Sequence, residues 1–258
     1  MDRSIDRLLM AQMDDVQGQH PALELLRLSA EELVVRGVLG FRIDHEGRTV
    51  EDSYEVEIDV PSAYPLMPPR ARETGGVIPD SYHHKFVVTG YLCLGAPVEI
   101  RKVFAEHRTM LGFINRQVIP YLFSYSYFRE FGRFPHGELR HGSQGVLDYY
   151  SEHFGTGTLA TLRLLKYLAD FEFRQGDQCP CGSHRELSVC HGRRVLELWG
   201  LQSAGEFAAE LVQMIMLCAV QTDPLDELWW VLDGMMPKHY PRLLEFWSEH
   251  GKGIQAVA

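Results

Sequence analysis

The sequence of 258 residues has little positive charge, few cysteines and no long apolar run. Lysine and arginine number 25 against 35 aspartate and glutamate residues, which gives a formal net charge of −10. Because phosphate contacts need clustered cations, this balance argues against a general nucleic-acid or anionic-membrane binder. The longest apolar run, residues 214–220, is too short to cross a bilayer.

The sequence also lacks two common signals. Residues 1–17 are charged throughout and contain no apolar core of a secretory signal, so we expect a cytoplasmic protein. A G-x-x-x-x-G-K-[ST] loop is absent, so we do not expect the chain to activate a substrate with ATP. In a reducing compartment the cysteines are predicted to be metal ligands, nucleophiles or buried thiols rather than disulfides. They are Cys93, Cys179, Cys181, Cys190 and Cys218.

The first half of the chain shows helical and strand patterns in turn, which predicts an α+β fold. Apolar residues at helical spacing predict an opening helix over residues 5–16, and residues 21–28 are expected to form a short second helix. Residues 33–43 are rich in Val, Leu and Phe, and residues 50–60 alternate strongly, so both predict strands of a β-hairpin. Residues 61–100, rich in Pro and Gly, predict a long loop that carries the chemistry.

The second half is predicted to be mainly helical. Helical periodicity returns over residues 103–128, where Pro120 is expected to kink or end a helix. Residues 129–158 contain many Gly and His residues and predict a boundary with ordered turns. Further helices are expected over residues 159–173, 206–220, 226–232 and 240–249. Four tryptophans and several methionines in the last third indicate a helical core or a hydrophobic face for a partner, of which the core is favoured. Cys218 is expected to be a buried thiol there.

A proline-rich turn precedes an isolated cysteine. The segment YPLMPP at 64–69 is followed by two histidines at 83–84 and by GYLCL at 90–94. Prolines fix φ and stiffen the approach to the cysteine. This order resembles that of ubiquitin-conjugating enzymes, which carry a modifier protein as a thioester on one cysteine. The resemblance covers roughly residues 30–135 and implies a conjugating-type fold, with an antiparallel sheet flanked by helices.

The resemblance implies that Cys93 accepts a protein C-terminus as a thioester and passes it to a target amine. Usual family members carry His-Pro-Asn upstream, whereas positions 83–85 are His83, His84 and Lys85. His83 or His84 would then donate to the oxyanion, and Lys85 would lower the pKa of the thiol. The alternative is an adaptor that binds and regulates a partner protein, with an inert cysteine and with loop histidines that pack or cap.

Bacterial conjugating-type proteins from antiphage defence operons are similar to this chain in lacking the asparagine while keeping a cysteine. In the CBASS systems of cyclic-oligonucleotide signalling, such an enzyme acts on the C-terminus of a nucleotidyltransferase. The resemblance therefore implies a protein substrate or modifier as partner, with the nucleotidyltransferase as one candidate. It also implies an activating enzyme encoded elsewhere, or absent in reduced systems.

A second motif lies at 179–191, where CPCGS is followed by Cys190 and His191. Three thiolates and one imidazole suit tetrahedral Zn²⁺ with no open position. The competing interpretation is a redox pair, but Cys-x-Cys differs from the Cys-x-x-Cys of thioredoxin-like sites. The run resembles the SEC-C motif of the bacterial Sec translocation ATPase and many other bacterial proteins. It predicts a structural zinc bound by Cys179, Cys181, Cys190 and His191.

These interpretations divide the chain into four parts. Residues 1–135 are expected to form the ubiquitin-conjugating-like domain, and residues 136–175 a connecting helical region. Residues 176–194 would be the SEC-C zinc motif, and residues 195–258 a C-terminal helical region. The acidic composition makes nucleic acid an unexpected partner, and no membrane partner is expected.

Overall fold

The computed structural model describes residues 3–137, 140–170, 174, 176–221 and 234–237. The chain is α+β and divides into two compact units. The first unit contains residues 1–95 and 99–139, and the second contains residues 96–98 and 140–258, as far as each is described. The predicted boundary after residue 135 lies a few positions before this division.

An antiparallel sheet forms the centre of the first unit. After helix α1 (Arg3–Gln19), the described residues form four strands in the order β1 (Leu23–Arg27), β2 (Leu33–His45), β3 (Arg48–Val60) and β4 (Arg70–Glu73). Each strand pairs with the next. The expected antiparallel sheet and opening helix are therefore confirmed.

The β2–β3 hairpin explains the strong alternation in the sequence. Leu33 pairs with Val60, and His45 pairs with Arg48 at the turn. Because neighbouring side chains in a strand point to opposite faces, one face of the hairpin enters the core with the apolar side of α1. The buried members include Leu9, Val16, Val35, Leu39, Val56 and Ile58.

The predicted helix over residues 21–28 is wrong, because this segment forms the edge strand β1. Its sequence, LELLR, contains good helix formers, but Leu23 is fully buried and the strand pairs with β2. Tertiary pairing therefore overrides local propensity. Gly37 permits this pairing, since a Cβ there would lie 1.9 Å from the carbonyl oxygen of Ala22.

The helical stretch predicted over 103–128 is present but interrupted. It comprises α2 (Pro97–Glu106), α3 (Met110–Phe113), a π-helical turn (Ile114–Val118) and α4 (Ile119–Phe131). Pro120 does not end a helix. It lies in the first turn of α4, where its missing N–H is tolerated.

Helices dominate the second unit. The described elements are α5 (Gly142–Phe154), α6 (Thr158–Ala169), α7 (Gly192–Leu198) and α8 (Ala204–Val220). The predictions for α6 and α8 are confirmed, whereas α5 replaces turns expected over residues 129–158. The segments predicted to be helical near 226–232 and 240–249 lie outside the described residues.

Packing among these helices forms a core of its own. The apolar faces of α5, α6 and α8 supply most of it, and Cys218 is buried there as expected. Met214 is fully buried, but Met216 is half exposed, so only part of the predicted methionine core is seen. Trp229, Trp230 and Trp247 lie outside the described residues.

Among the described residues, we find no helix with both the length and the apolar character needed to span a bilayer.

Candidate functional sites

The segment before the candidate cysteine folds into a narrow turn. The amide of Phe86 donates to the carbonyl of Tyr91 (2.9 Å), and the amide of Gly90 donates back to the carbonyl of Phe86 (2.7 Å). Gly90 has a positive φ of 71°, which glycine adopts without strain. Val87 and Val88 at the tip are 71% and 79% exposed. The turn therefore presents an aliphatic tip to solvent close to the cysteine.

Backbone hydrogen bonds hold Cys93 in place at the end of this turn. Its amide donates to the carbonyl of His84 (2.8 Å), and the amide of Leu92 donates to Ala71 in β4 (2.8 Å). Leu92 is buried, and Leu94 packs against the core of the first unit. Cys93 itself is half-buried. The flanking leucines act as apolar anchors, and the cysteine stays at the edge of the core.

The surroundings of Cys93 favour the neutral thiol. Burial raises the pKa of the thiol, a hydrogen bond from the backbone of Gly95 opposes this, and the Glu99 carboxylate raises it further. Gly95 has a φ of 144°, and a Cβ there would lie 2.7 Å from Oε2 of Glu99. The carboxylate therefore packs against the glycine that contacts the sulfur. At neutral pH the resting site holds little thiolate.

The two predicted catalytic histidines take different positions. His83 is exposed, whereas His84 is half-buried with its ring beside Tyr82 and Phe134, at centroid distances of 5.5 and 5.8 Å. The contact between His84 and Cys93 is made by the backbone carbonyl. The structure thus joins His84 to the cysteine as an anchor of its backbone.

Lys85 does not lower the pKa of the thiol as the sequence suggested, since that pKa is raised. Its Nζ instead donates to the carbonyl of Ile78 (3.0 Å) and pairs with Asp80 (2.8 Å). The Lys85 side chain is almost fully buried by these contacts. Lys85 therefore fixes the preceding loop to the cysteine turn.

The proline-rich turn is anchored by its tyrosine. Tyr64 is buried, and its hydroxyl donates to Oε1 of Gln12 in α1 (2.5 Å). The same oxygen accepts the amide of Met110 at the start of α3 (2.9 Å). The Tyr64–Pro65 peptide is cis. One amide oxygen thus connects the opening helix, the turn and α3.

Sequence reasoning missed a clamp on Tyr91, two residues before the cysteine. The Tyr91 hydroxyl donates to the Asp59 carboxylate, which also binds Nη2 of Arg72 (2.6 Å). The guanidinium carbons of Arg70 and Arg72 lie 4.3 and 4.6 Å from the centre of the tyrosine ring. Burial and then Asp59 raise the pKa of Tyr91, so the phenol stays protonated and donates.

In the second unit, four predicted metal ligands converge. Their ligand atoms all lie within 4.8 Å of one another. The His191 Nδ1 atom is 3.2 Å from the sulfurs of both Cys179 and Cys190, and the Cys181 and Cys190 sulfurs are 3.7 Å apart. A tetrahedral site with metal–sulfur bonds of about 2.3 Å has sulfur–sulfur edges of about 3.8 Å. The donor set therefore has the size and chemistry to hold one metal ion.

Local backbone structure brings these ligands together. The amide of Cys179 donates to the carbonyl of Arg185 (2.7 Å), which closes the loop around Gly182, where φ is 90°. Cys190 follows a 3₁₀ turn (Leu187–Val189), and His191 directly precedes α7. Cys190 and His191 therefore lie between two short helical segments.

A surrounding layer of donors supports the ligands. The Cys190 sulfur lies 3.3 Å from the Ser183 hydroxyl and accepts a hydrogen bond from Arg185 Nη2 at 3.3 Å. The His191 imidazole is hydrogen bonded to the backbone of Phe154, which fixes the ring as second partners of metal-bound histidines do. Burial lowers the pKa of His191 and so favours the neutral imidazole that binds metals.

The cluster thiols differ in acidity when no metal is bound. Burial raises the pKa of Cys179 to about 12. Burial would also raise the pKa of Cys181, but hydrogen bonds from Ser183 outweigh it and lower that pKa. Metal binding must displace the proton from any ligand that still carries one. All five cysteines, which fall within the described residues, are free of disulfides.

No family model matches the chain, and neither the curated proteins nor the solved structures contain a match.

Proposed function

We propose that the first unit is a ubiquitin-conjugating-type transferase with Cys93 as its acyl carrier. The observation that supports this proposal is Cys93 itself, a partly exposed residue at the end of a turn that is fixed by backbone hydrogen bonds and has an exposed aliphatic tip. The proline-rich turn and the antiparallel sheet stand in the order that the resemblance implies. Under this proposal, two partner proteins reach the sulfur in succession.

The proposed reaction has two steps. The Cys93 thiol loses its proton and attacks the carbonyl of an incoming thioester, so that a new C–S bond forms and the carrier's thiol leaves with a proton. A target amine then attacks the new thioester; a C–N bond forms, and the Cys93 sulfur leaves and is reprotonated. Because the pKa of the resting thiol is raised, the first step is expected to require a partner that removes its proton.

The partners follow from the same resemblance. An activating enzyme would supply the thioester, and the C-terminus of a nucleotidyltransferase in a CBASS-like antiphage system would be the group carried. The reaction would take place in the cytoplasm, where such signalling enzymes act on soluble partners.

For the second unit, we propose that the metal held by Cys179, Cys181, Cys190 and His191 is a structural zinc ion. Four protein ligands fill a tetrahedral site and leave no position for a substrate. The metal would then stabilise the second unit and leave the chemistry to Cys93. Elemental analysis of the purified protein should give about one zinc per chain, as this ligand set implies; folded protein without metal would contradict the assignment.

A second candidate function is an adaptor of the same fold with an inert cysteine. The raised pKa of Cys93 favours it, as does the presence of Lys85, tied to Ile78 and Asp80, at the position of the usual asparagine. Under this alternative, the exposed tip of the turn would bind a partner without forming a covalent bond.

Trapping separates the two candidates. The protein is incubated with ATP, the activating enzyme and the nucleotidyltransferase from its own operon, and the products are separated with and without thiol reductant. We expect a thiol-labile adduct with the wild-type protein, a stable oxyester with Cys93→Ser and no adduct with Cys93→Ala. If Cys93→Ala forms the same adducts as the wild type, the transferase proposal fails; partner binding without any adduct would support the adaptor.

A further inference from the structure

One face of the π-helical turn and α4 holds helix α2 and two separate loop segments. Side chains at positions 117, 121 and 125 follow one another at a spacing of four and therefore share a face. Each donates a hydrogen bond to a backbone carbonyl outside its own helix: Gln117 to Ile100 (3.0 Å), Tyr121 to His84 (2.8 Å) and Tyr125 to Val77 (2.9 Å). A π-helical turn often re-aims side chains at functional sites.

Tyr121 is the member of this face that acts on the cysteine. The carbonyl oxygen of His84 accepts two hydrogen bonds, one from the Tyr121 hydroxyl and one from the Cys93 amide, both at 2.8 Å. A carbonyl has two lone pairs, so both bonds can form together. The Tyr121 hydroxyl is thus linked to the Cys93 backbone through one shared acceptor, the His84 carbonyl oxygen.

The surroundings of Tyr121 keep it a donor. Burial, Tyr82 and Cys93, in that order, raise the pKa of its phenol, so the hydroxyl remains protonated at neutral pH. The ring lies edge-on to Tyr82, with centroids 6.4 Å apart. A phenylalanine can keep this ring contact and lose only the hydrogen bond.

We propose that Tyr121 is a positioning residue for acyl transfer, which it serves by fixing the His84 carbonyl and through it the backbone of Cys93. The inference rests on the proposed transferase function. Without the hydroxyl, the His84 carbonyl keeps its bond from the Cys93 amide but loses its tie to α4, so the backbone of Cys93 is held less firmly and the sulfur loses its defined approach to the acyl carbon. Errors of about 1 Å in such a geometry can cost up to about a hundredfold in rate.

The chain offers a matched control. Tyr125→Phe also removes one hydroxyl-to-carbonyl bond from α4, but its acceptor belongs to Val77 and not to the cysteine turn. Both variants lose one hydrogen bond and should lose similar stability. Only Tyr121→Phe should disturb Cys93.

The first measurement needs no partner protein. Exchange of the Cys93 amide hydrogen in the full chain is followed by NMR or by mass spectrometry of the peptide that contains it. Tyr121→Phe should accelerate this exchange about tenfold, which is the order expected for one lost hydrogen bond. Tyr125→Phe should leave it within about twofold of the wild type.

The second measurement uses a small acyl donor. Cys93 is loaded with N-acetylglycine from its phenyl thioester, and the rate of aminolysis by free lysine is measured at several pH values. Tyr121→Phe should slow aminolysis about tenfold across the pH range, while Tyr125→Phe should not.

The two readouts separate the possible failures. If the wild-type protein is neither acylated nor discharged even in alkaline buffer, where the Cys93 thiol ionises without a partner, the transferase function fails and the positioning role falls with it. Normal wild-type turnover with equal effects of both variants on exchange and aminolysis would overturn the role of Tyr121 alone. Faster exchange without slower aminolysis would also overturn it, since Tyr121 would then be a structural anchor only.

Discussion

The two cysteine sites of this protein use the same residue in opposite ways. Cys93 stands alone, held by backbone hydrogen bonds at the edge of an apolar core. Cys179, Cys181 and Cys190 converge with His191 on one point, and neighbouring donors form hydrogen bonds with the sulfurs of Cys181 and Cys190. An isolated thiol can become a nucleophile when a partner removes its proton, whereas a closed set of thiols is committed to a metal. The surroundings of the sulfur decide its chemistry.

Metal removal should have the largest effect, and it should destabilise the second unit only. A site of this type contributes on the order of 10 kcal/mol to the folding of its module, so chelation or Cys179→Ser should unfold much of the second unit. Thermal unfolding followed by circular dichroism, with and without chelator, would show it.

Cys93→Ser is the control for metal removal. Its melting profile and metal content should equal those of the wild type, because the first unit contains none of the four ligands. A chelator-resistant melting profile would contradict a structural metal.

Loss of the Tyr91 clamp should weaken the first site alone. Asp59→Asn or Tyr91→Phe removes a half-buried hydrogen bond and should lower the free energy of unfolding of the first unit by about 1–3 kcal/mol. Urea titration measures this loss. Glu51→Gln on the same strand breaks the exposed pair with Arg42 and should cost less than about 0.5 kcal/mol; equal losses in both variants would show that the clamp has no special role.

Helix caps can test whether the two units unfold separately. The Thr109 side chain caps α3 in the first unit, and Ser203 forms a capping box with Glu206 at the start of α8 in the second. Replacing either cap by alanine should cost about 1 kcal/mol. Hydrogen exchange should assign each loss to its own unit. Protection lost in both units from a single cap would mean that they unfold as one.

The smallest expected effect concerns the acidity of Cys93. Because burial raises its pKa above the ordinary value of 9.0, iodoacetamide should modify Cys93 severalfold more slowly in the native protein than in urea at pH 7. The cysteines of the metal cluster should react only after metal removal. Mass spectrometry of the modified peptides distinguishes them. Native Cys93 that reacts as fast as unfolded Cys93 would show that its thiolate is not suppressed.

The same pKa sets the sign of a pH effect on stability. A thiol whose pKa is raised by folding stabilises the native state while it is protonated in both states. That contribution is present below the ordinary pKa of 9.0 and is lost as the pH rises through the higher value of the folded state. The free energy of unfolding of the first unit should therefore fall in alkaline buffer, and fall less in Cys93→Ala.

The sequence predicted those features whose signals are local. The alternation of β3 and the turn before it can be recognised in a short stretch of sequence. The four metal ligands are equally close together, at positions 179–191. The interpretation failed where partners lie far away. β1 consists of helix formers that only pairing with β2 turns into a strand. α5 contains Gly145, where a Cβ would lie 2.1 Å from the Arg140 carbonyl oxygen, and glycine in a sequence predicts a turn.

The candidate site shows the same limit. Cys93 could be chosen from the motif around it, but Tyr91 binds Asp59 from 32 positions away and Tyr121 binds His84 from 37 positions away. No local sequence pattern predicts such pairs, because they depend on how the sheet and α4 are placed within the first unit. The side chains of His83 and His84 were chosen as catalytic, whereas the contact to Cys93 comes from the main chain of His84.

The attachment of Lys85 to Ile78 and Asp80 has a consequence for any acylated form of the protein. If Cys93 carries an acyl group as proposed, a primary amine eight residues away in the sequence would compete for that group, and its attack would transfer the group to the protein itself. The Lys85 amine is instead bound to a main-chain oxygen and a carboxylate. Under the proposed transferase function, these contacts would limit the loss of the acyl group to Lys85.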